Sequence, residues 1–150
     1  MDLILWRHAD AEPGVPDLDR RLTTKGAQQA ERMGAWLNRH LPAAAQVLAS
    51  PADRARQTAH ALQRKFRVVP QLAPGASAND VLAAAGWPGA HETVVVVGHQ
   101  PTLGEVAALL LTGEVASWAV RKGAAWWLAN RVRDGDSDVV LKVVIGPDFV

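Results

Sequence analysis

Short apolar runs alternate with longer periodic stretches through the first two thirds of the chain. Leu3 to Trp6 is apolar at every position and too short for a helix, so it predicts a buried strand, and a loop carrying Pro13, Gly14 and Pro16 follows soon after. From Thr24 onward, Ala27, Ala30, Met33 and Leu37 recur at spacings of three and four, the stripe of a helix that turns one face to a core and stops near His40 and Pro42. Val47 to Ala49 predicts a second strand. Ser50-Pro51-Ala52-Asp53 then combines an N-cap serine, a proline at the first helical position and an acid in the first turn. Ala52, Ala55, Ala59, Leu62 and Phe66 continue that helix, and Val68-Val69 gives a short strand before the loop from Pro70 to Gly75.

Val81, Leu82 and Ala85 predict a short helix closed by Gly86 and Pro88, and Thr93 to Val97 is β-branched throughout, as a strand buried on both faces should be. A helix with Leu103, Val106, Ala107, Leu110 and Leu111 on one side follows and ends at Gly113. The last third is different in kind: Ala124 to Val132 and Asp138 to Ile145 are strand-like and flank Asp134-Gly135, a hairpin dipeptide within a connection longer than two residues. Trp126 and Trp127 should point to opposite faces of the first of these strands. This order of elements predicts an α/β protein: one domain over residues 1–150, a three-layer α/β/α sandwich on a mainly parallel sheet with a C-terminal antiparallel hairpin.

Composition narrows the chemistry. A net charge of +1 over 150 residues gives no general attraction to nucleic acid or to an anionic membrane, so any anion binding must be local. The absence of cysteine removes disulfides, thiolate nucleophiles and thiolate metal sites. No apolar run approaches the ~18 residues of a membrane span, and Met1-Asp2 followed by a short apolar stretch is unlike a secretory leader; a cytoplasmic protein that does not cross a membrane is expected.

In an open α/β sheet, ligands bind outside the carboxyl ends of the strands. Three predicted strands end in chemically loaded residues: Arg7-His8, Ser50 to Arg54, and Gly98-His99. If those strands are neighbours, two histidines and two arginines converge on one crevice and form an anion site. Arginine's planar fork binds phosphate oxygens in pairs, and Arg54, in the first turn of its helix, also stands at the positive end of the helix dipole. A neutral imidazole is a competent nucleophile toward phosphorus.

Four segments in order resemble the histidine phosphatase superfamily, which includes cofactor-dependent phosphoglycerate mutase, and especially its small phosphohistidine phosphatases of the SixA type. They are Leu3 to His8, Leu22-Thr23-Thr24-Lys25-Gly26-Ala27-Gln28-Gln29-Ala30, Ser50-Pro51-Ala52-Asp53-Arg54-Ala55-Arg56-Gln57-Thr58, and Val97-Gly98-His99-Gln100-Pro101. The resemblance implies that His8 is the nucleophile, that Arg7 and Arg54 hold the phosphate, that His99 stabilises the transferring group, and that neither metal nor cofactor is used. Arg21, just before the second segment, is a further candidate contact. Two departures stand out: Ala9 follows the Arg-His pair where much of the superfamily has glycine, and no acid matches the leaving-group acid of larger relatives, Asp80 being the nearest position.

That second departure favours a substrate whose leaving group needs little help, such as phosphohistidine on a carrier or relay protein. A small phosphorylated metabolite cleaved by the same mechanism is the enzymatic alternative, and a phosphate-binding regulatory module without turnover is the alternative of a different class. A mutase ranks lower for so short a chain. His40, His60 and His91 receive no role, Ser50 is accounted for as a helix cap, and Trp6 and Trp87 are read first as packing residues, with the rim of the site as the alternative.

Overall fold

The computed structural model describes residues 1–150. Ten regular elements follow one another: β1 (Asp2–Arg7), α1 (Thr24–His40), β2 (Gln46–Ala49), α2 (Asp53–His60), β3 (Arg67–Val68), α3 (Ala78–Ala85), β4 (Val94–Gly98), α4 (Thr102–Thr112), β5 (Ala125–Arg133) and β6 (Asp136–Ile145). The strands form one sheet in the order β3-β2-β4-β1-β5-β6. Strands β3, β2, β4 and β1 pair in parallel, while β5 pairs antiparallel with β1 and β6 antiparallel with β5.

Alternation along the strands divides the core between the two faces. Ile4, Trp6, Val47, Val95 and Val97 point to one face and pack with Met33 and Leu37 of α1 and Ala55 and Ala59 of α2. Leu3, Leu5, Leu48, Val94 and Val96 point to the other and meet Val81 of α3 and Val106 of α4. This is the expected three-layer sandwich. All five residues of β4 are buried, as a strand between two neighbours and two helical layers must be. Trp127 joins the first cluster and Trp126 packs against the second, on opposite faces. No helix is long and apolar enough to cross a membrane.

Three local expectations are corrected. Helix α2 begins at Asp53, with Ala52 as N-cap, so Ser50 does not cap it and Pro51 lies outside it. The same helix stops at His60 instead of running to Phe66, because the chain tightens into a turn in which Gln63 has a positive φ of 55° and Asn38 of α1 donates its side-chain N–H to the Leu62 carbonyl. Leu62 is still fully buried, which is why it continued the apolar period. The final hairpin has a two-residue connection: Asp134 (φ 49°) and Gly135 (φ 87°) both occupy the left-handed region, the geometry of a type I′ turn.

The parallel register positions the site. Arg7 is opposite Gly98 and Ala49 opposite Val97, and the ladders run one bond further, with His8 N–H donating to the Gly98 carbonyl (3.1 Å) and Ser50 N–H to the Val97 carbonyl (3.0 Å). Shifting any strand by one residue would turn its apolar set to the wrong face, so the core that fixes register also brings His8, Ser50 and His99 to one level.

Candidate active site

His8, Arg54 and His99 come together at the carboxyl ends of β1, β2 and β4, and all three are buried. The two imidazole rings lie 5.1 Å apart between centroids, tilted by 55°. His8 Nδ1 is 2.8 Å from the Ala9 carbonyl. A carbonyl can only accept, so Nδ1 carries the proton and Nε2 keeps its lone pair. Arg54 Nε donates toward that Nε2 at 3.3 Å. Burial, and then the nearby guanidiniums of Arg54 and Arg7, push the His8 pKa down to about 4 against the opposing effect of the Ala9 bond. His99 is pushed down to about 3, first by burial and then by His8 and Arg54. Both rings are neutral at physiological pH.

Arg7 donates through Nη1 to the Val120 carbonyl at 2.8 Å, which anchors it across the end of the sheet. Its Nε and the Nδ1 of His99 are buried and have no hydrogen-bond partner within the protein. His99 Nε2 lies 2.7 Å from the hydroxyl of Ser50, which also accepts from the Ala52 N–H at 3.2 Å. The serine that sequence assigned to a helix cap is therefore the partner of the second histidine.

Around these groups runs a brace of uncharged side chains. Thr58 donates to the Arg54 carbonyl (2.8 Å) and accepts from the Ala9 N–H (3.1 Å), so one buried hydroxyl ties the helix carrying Arg54 to the residue after His8. Gln29 accepts from the Asp10 N–H at 3.0 Å and Gln57 from the Leu22 N–H at 2.7 Å. Thr23 caps α1 through the Gly26 N–H (2.9 Å) and donates to the Asp10 carboxylate (2.8 Å). Gly26 packs directly on the Asp10 carbonyl, where a Cβ would collide. These bonds account for the Gly, Gln and Thr positions of the second and third motif segments.

Four sequence candidates lie elsewhere. Arg21 is exposed and lines a groove on the outside of α2 with Asp53, Arg56 and His60, because Leu22 pairs with Ala11 and with Gln57 and turns its neighbour outward. Asp80 closes a capping box with Ser77 at the start of α3, where those bonds hold its carboxyl below the usual range. Trp6 is fully buried, with its indole N–H on the Gly123 carbonyl at 2.9 Å, and Trp87 packs against the core on the α3/α4 side; neither forms a rim. A cavity of about 790 Å³ opens beyond Arg7, walled in part by Trp126, Val144 and Phe149, and neither histidine lines it.

Sequence reading also missed Asp17. It begins a single 3-10 turn (Asp17–Asp19) and accepts from Arg54 twice, through its carbonyl from Nη1 (2.8 Å) and through its carboxylate from Nη2 (3.1 Å). No periodicity marks this turn, and only the folded loop puts it beside α2.

Residues 3–77 match the model of the histidine phosphatase superfamily, branch 1. The chain is 39% identical over 122 residues to an uncharacterised protein of Mycobacterium tuberculosis, covering 77% of each. Among solved structures it is similar to a Nakamurella multipartitia protein assigned as the phosphohistidine phosphatase SixA, with 32% identity, a TM-score of 0.77 and coverage of 97% of this chain and 95% of the other. It is also similar to the protein histidine phosphatase SixA complexed with tungstate, at 25% identity, a TM-score of 0.78 and 99% coverage of both.

Proposed function

The chain belongs to the histidine phosphatase superfamily and is a phosphatase of its SixA type, and from that membership we propose that it removes the phosphoryl group of phosphohistidine on another protein through a covalent intermediate on His8. The observation that carries this reading is the pairing of His8: Nδ1–H is held by the Ala9 carbonyl and the Nε2 lone pair stands beside the Arg54 guanidinium.

In the first step His8 Nε2 attacks phosphorus and the bond from phosphorus to the substrate's leaving atom breaks, the electron pair departing with the leaving group. The Ala9 carbonyl stabilises the positive charge that the His8 ring acquires, because its Nδ1 proton stays in place. Arg7, Arg54 and His99 face the equatorial oxygens, where charge is redistributed in phosphoryl transfer. The buried Arg7 Nε and His99 Nδ1, which find no partner in the protein, would find one in a bound oxyanion. In the second step water attacks phosphorus, the P–Nε2 bond breaks, and inorganic phosphate leaves with His8 restored.

The substrate reading rests on the leaving group. The carboxylate that reaches this cluster, Asp17, is held below the usual range by its bonds to Arg20 and then Arg54, so it is ionised and cannot protonate an alkoxide. A phosphoramidate already protonated on its second ring nitrogen releases neutral imidazole without such an acid. The likeness to a SixA protein supports the same choice.

The test is release of inorganic phosphate from a phosphohistidine-bearing carrier protein and from an alkyl phosphomonoester, in the presence of EDTA. Faster, EDTA-resistant release from the carrier is expected. Faster release from the ester would assign a small metabolite as substrate, and release from neither would leave a phosphate-binding module.

A further inference from the structure

Asp17 touches the site and has no part in the chemistry above. Arg54 has two occupied sides: its Nε faces His8, and both Nη atoms are taken by Asp17 alone, one by the carbonyl and one by the carboxylate. The second carboxylate oxygen accepts from Arg20 Nη1 at 3.0 Å, and Arg20 Nε is tied to the Glu12 carbonyl at 2.7 Å. The carboxylate is thus fixed from two directions. Arg54, with a side chain only 5% exposed, cannot reorient without breaking these bonds.

We propose that Asp17 is a positioning and specificity residue, which aims Arg54 Nε at His8 and opposes with its own negative charge the retention of free inorganic phosphate at the same guanidinium. This inference rests on the reading that the phosphoryl group transferred to His8 is bound by Arg54, whose Nε faces the same ring nitrogen. A site built on two arginines and buried imidazoles would hold its product tightly. An acid on the far side of one arginine offsets part of that attraction while leaving the Nε donor toward His8 in place. A bound protein substrate has contacts beyond the phosphoryl group, whereas inorganic phosphate has none, so the same repulsion weakens product more than substrate in relative terms. Half-exposure of the carboxylate screens the repulsion and limits its effect to about three- to tenfold in affinity.

Titration calorimetry with inorganic phosphate on the full chain, together with hydrolysis of a phosphohistidine-bearing carrier, tests this in Asp17→Asn and Asp17→Ala. The amide keeps an acceptor for Arg54 and loses the charge. Asp17→Asn should bind phosphate about three- to tenfold more tightly than wild type, and Asp17→Ala should lose more carrier hydrolysis than Asp17→Asn. Arg20→Gln, which leaves the Asp17 charge less compensated, should weaken phosphate binding. Unchanged or weaker phosphate binding in Asp17→Asn, or equal loss of hydrolysis in both Asp17 variants, would make Asp17 a structural brace and overturn the proposal. The calorimetry needs no turnover, so a wild-type protein that hydrolyses nothing would overturn the proposed activity while the shift in phosphate affinity still decides the role of Asp17.

Discussion

The proposed nucleophile, His8, has a lone pair to attack with only while its ring is neutral. Its pKa of about 4 places the loss of the nucleophile well below the ordinary histidine range. The acid limb of kcat/KM should therefore fall through about pH 4, and a limb near 6.5 would show that the ring is not desolvated as described. Arg54→Ala should lower kcat by about 10²–10³, the usual loss for one preorganised donor to a developing oxyanion. Ser50→Ala leaves His99 Nε2 buried without its 2.7 Å partner and should destabilise the fold by about 1–3 kcal/mol, measurable by urea unfolding, while also lowering kcat. Normal stability and turnover in Ser50→Ala would return Ser50 to a local turn role.

The elements were legible where an apolar period had a single explanation. β4, α1 and α4 were read close to their observed bounds because β-branching or a stripe at helical spacing leaves no alternative. Helix α2 departs from its sequence pattern at both ends for the same physical reason: a residue's preference is real but another partner claims it. Ser50 suits an N-cap, yet its hydroxyl is engaged by His99; Leu62 keeps the apolar period, yet Asn38 captures its carbonyl and the helix has already closed. Such competition is tertiary and cannot be seen in a window of sequence. The four motif segments marked His8, His99, Arg7 and Arg54 because they end strands or begin a helix, whereas Asp17 sits in a loop whose path depends on Pro16, Leu22 and α2 together. At this scale Gly26→Ala is the sharpest test of packing. Its Cβ would meet the Asp10 carbonyl, which is backbone and cannot step aside, so a loss of about 1–3 kcal/mol in stability is expected, with reduced activity through the displaced Ala9–Asp10 segment. An unaltered melting temperature would contradict the close approach of α1 to that loop.

For the whole molecule, function and stability are linked through two buried neutral histidines. Their folded-state pKa values, about 4 and about 3, lie below the ordinary histidine value of 6.5, so unfolding takes up protons as the pH falls beneath 6.5. The stability they contribute is complete above about 6.5 and declines as the pH drops from there toward 4, before the carboxylates of Asp2, Asp10 and Asp17, whose pKa values are also lowered, begin to titrate. Thermal unfolding should show this decline, and His99→Gln should flatten it; equal slopes in the two proteins would contradict the assignment. The sheet that buries these rings also brings them together, since the strands that fill the core carry His8 and His99 out at one level.

The most direct test of the account is mass spectrometry of His8 after rapid acid-free quenching of wild-type protein mixed with a phosphohistidine-bearing carrier. A phosphoryl group on His8, formed and lost as inorganic phosphate accumulates and absent in His8→Ala, is the predicted result. Turnover with an unmodified His8, or turnover that persists in His8→Ala, would contradict the covalent mechanism.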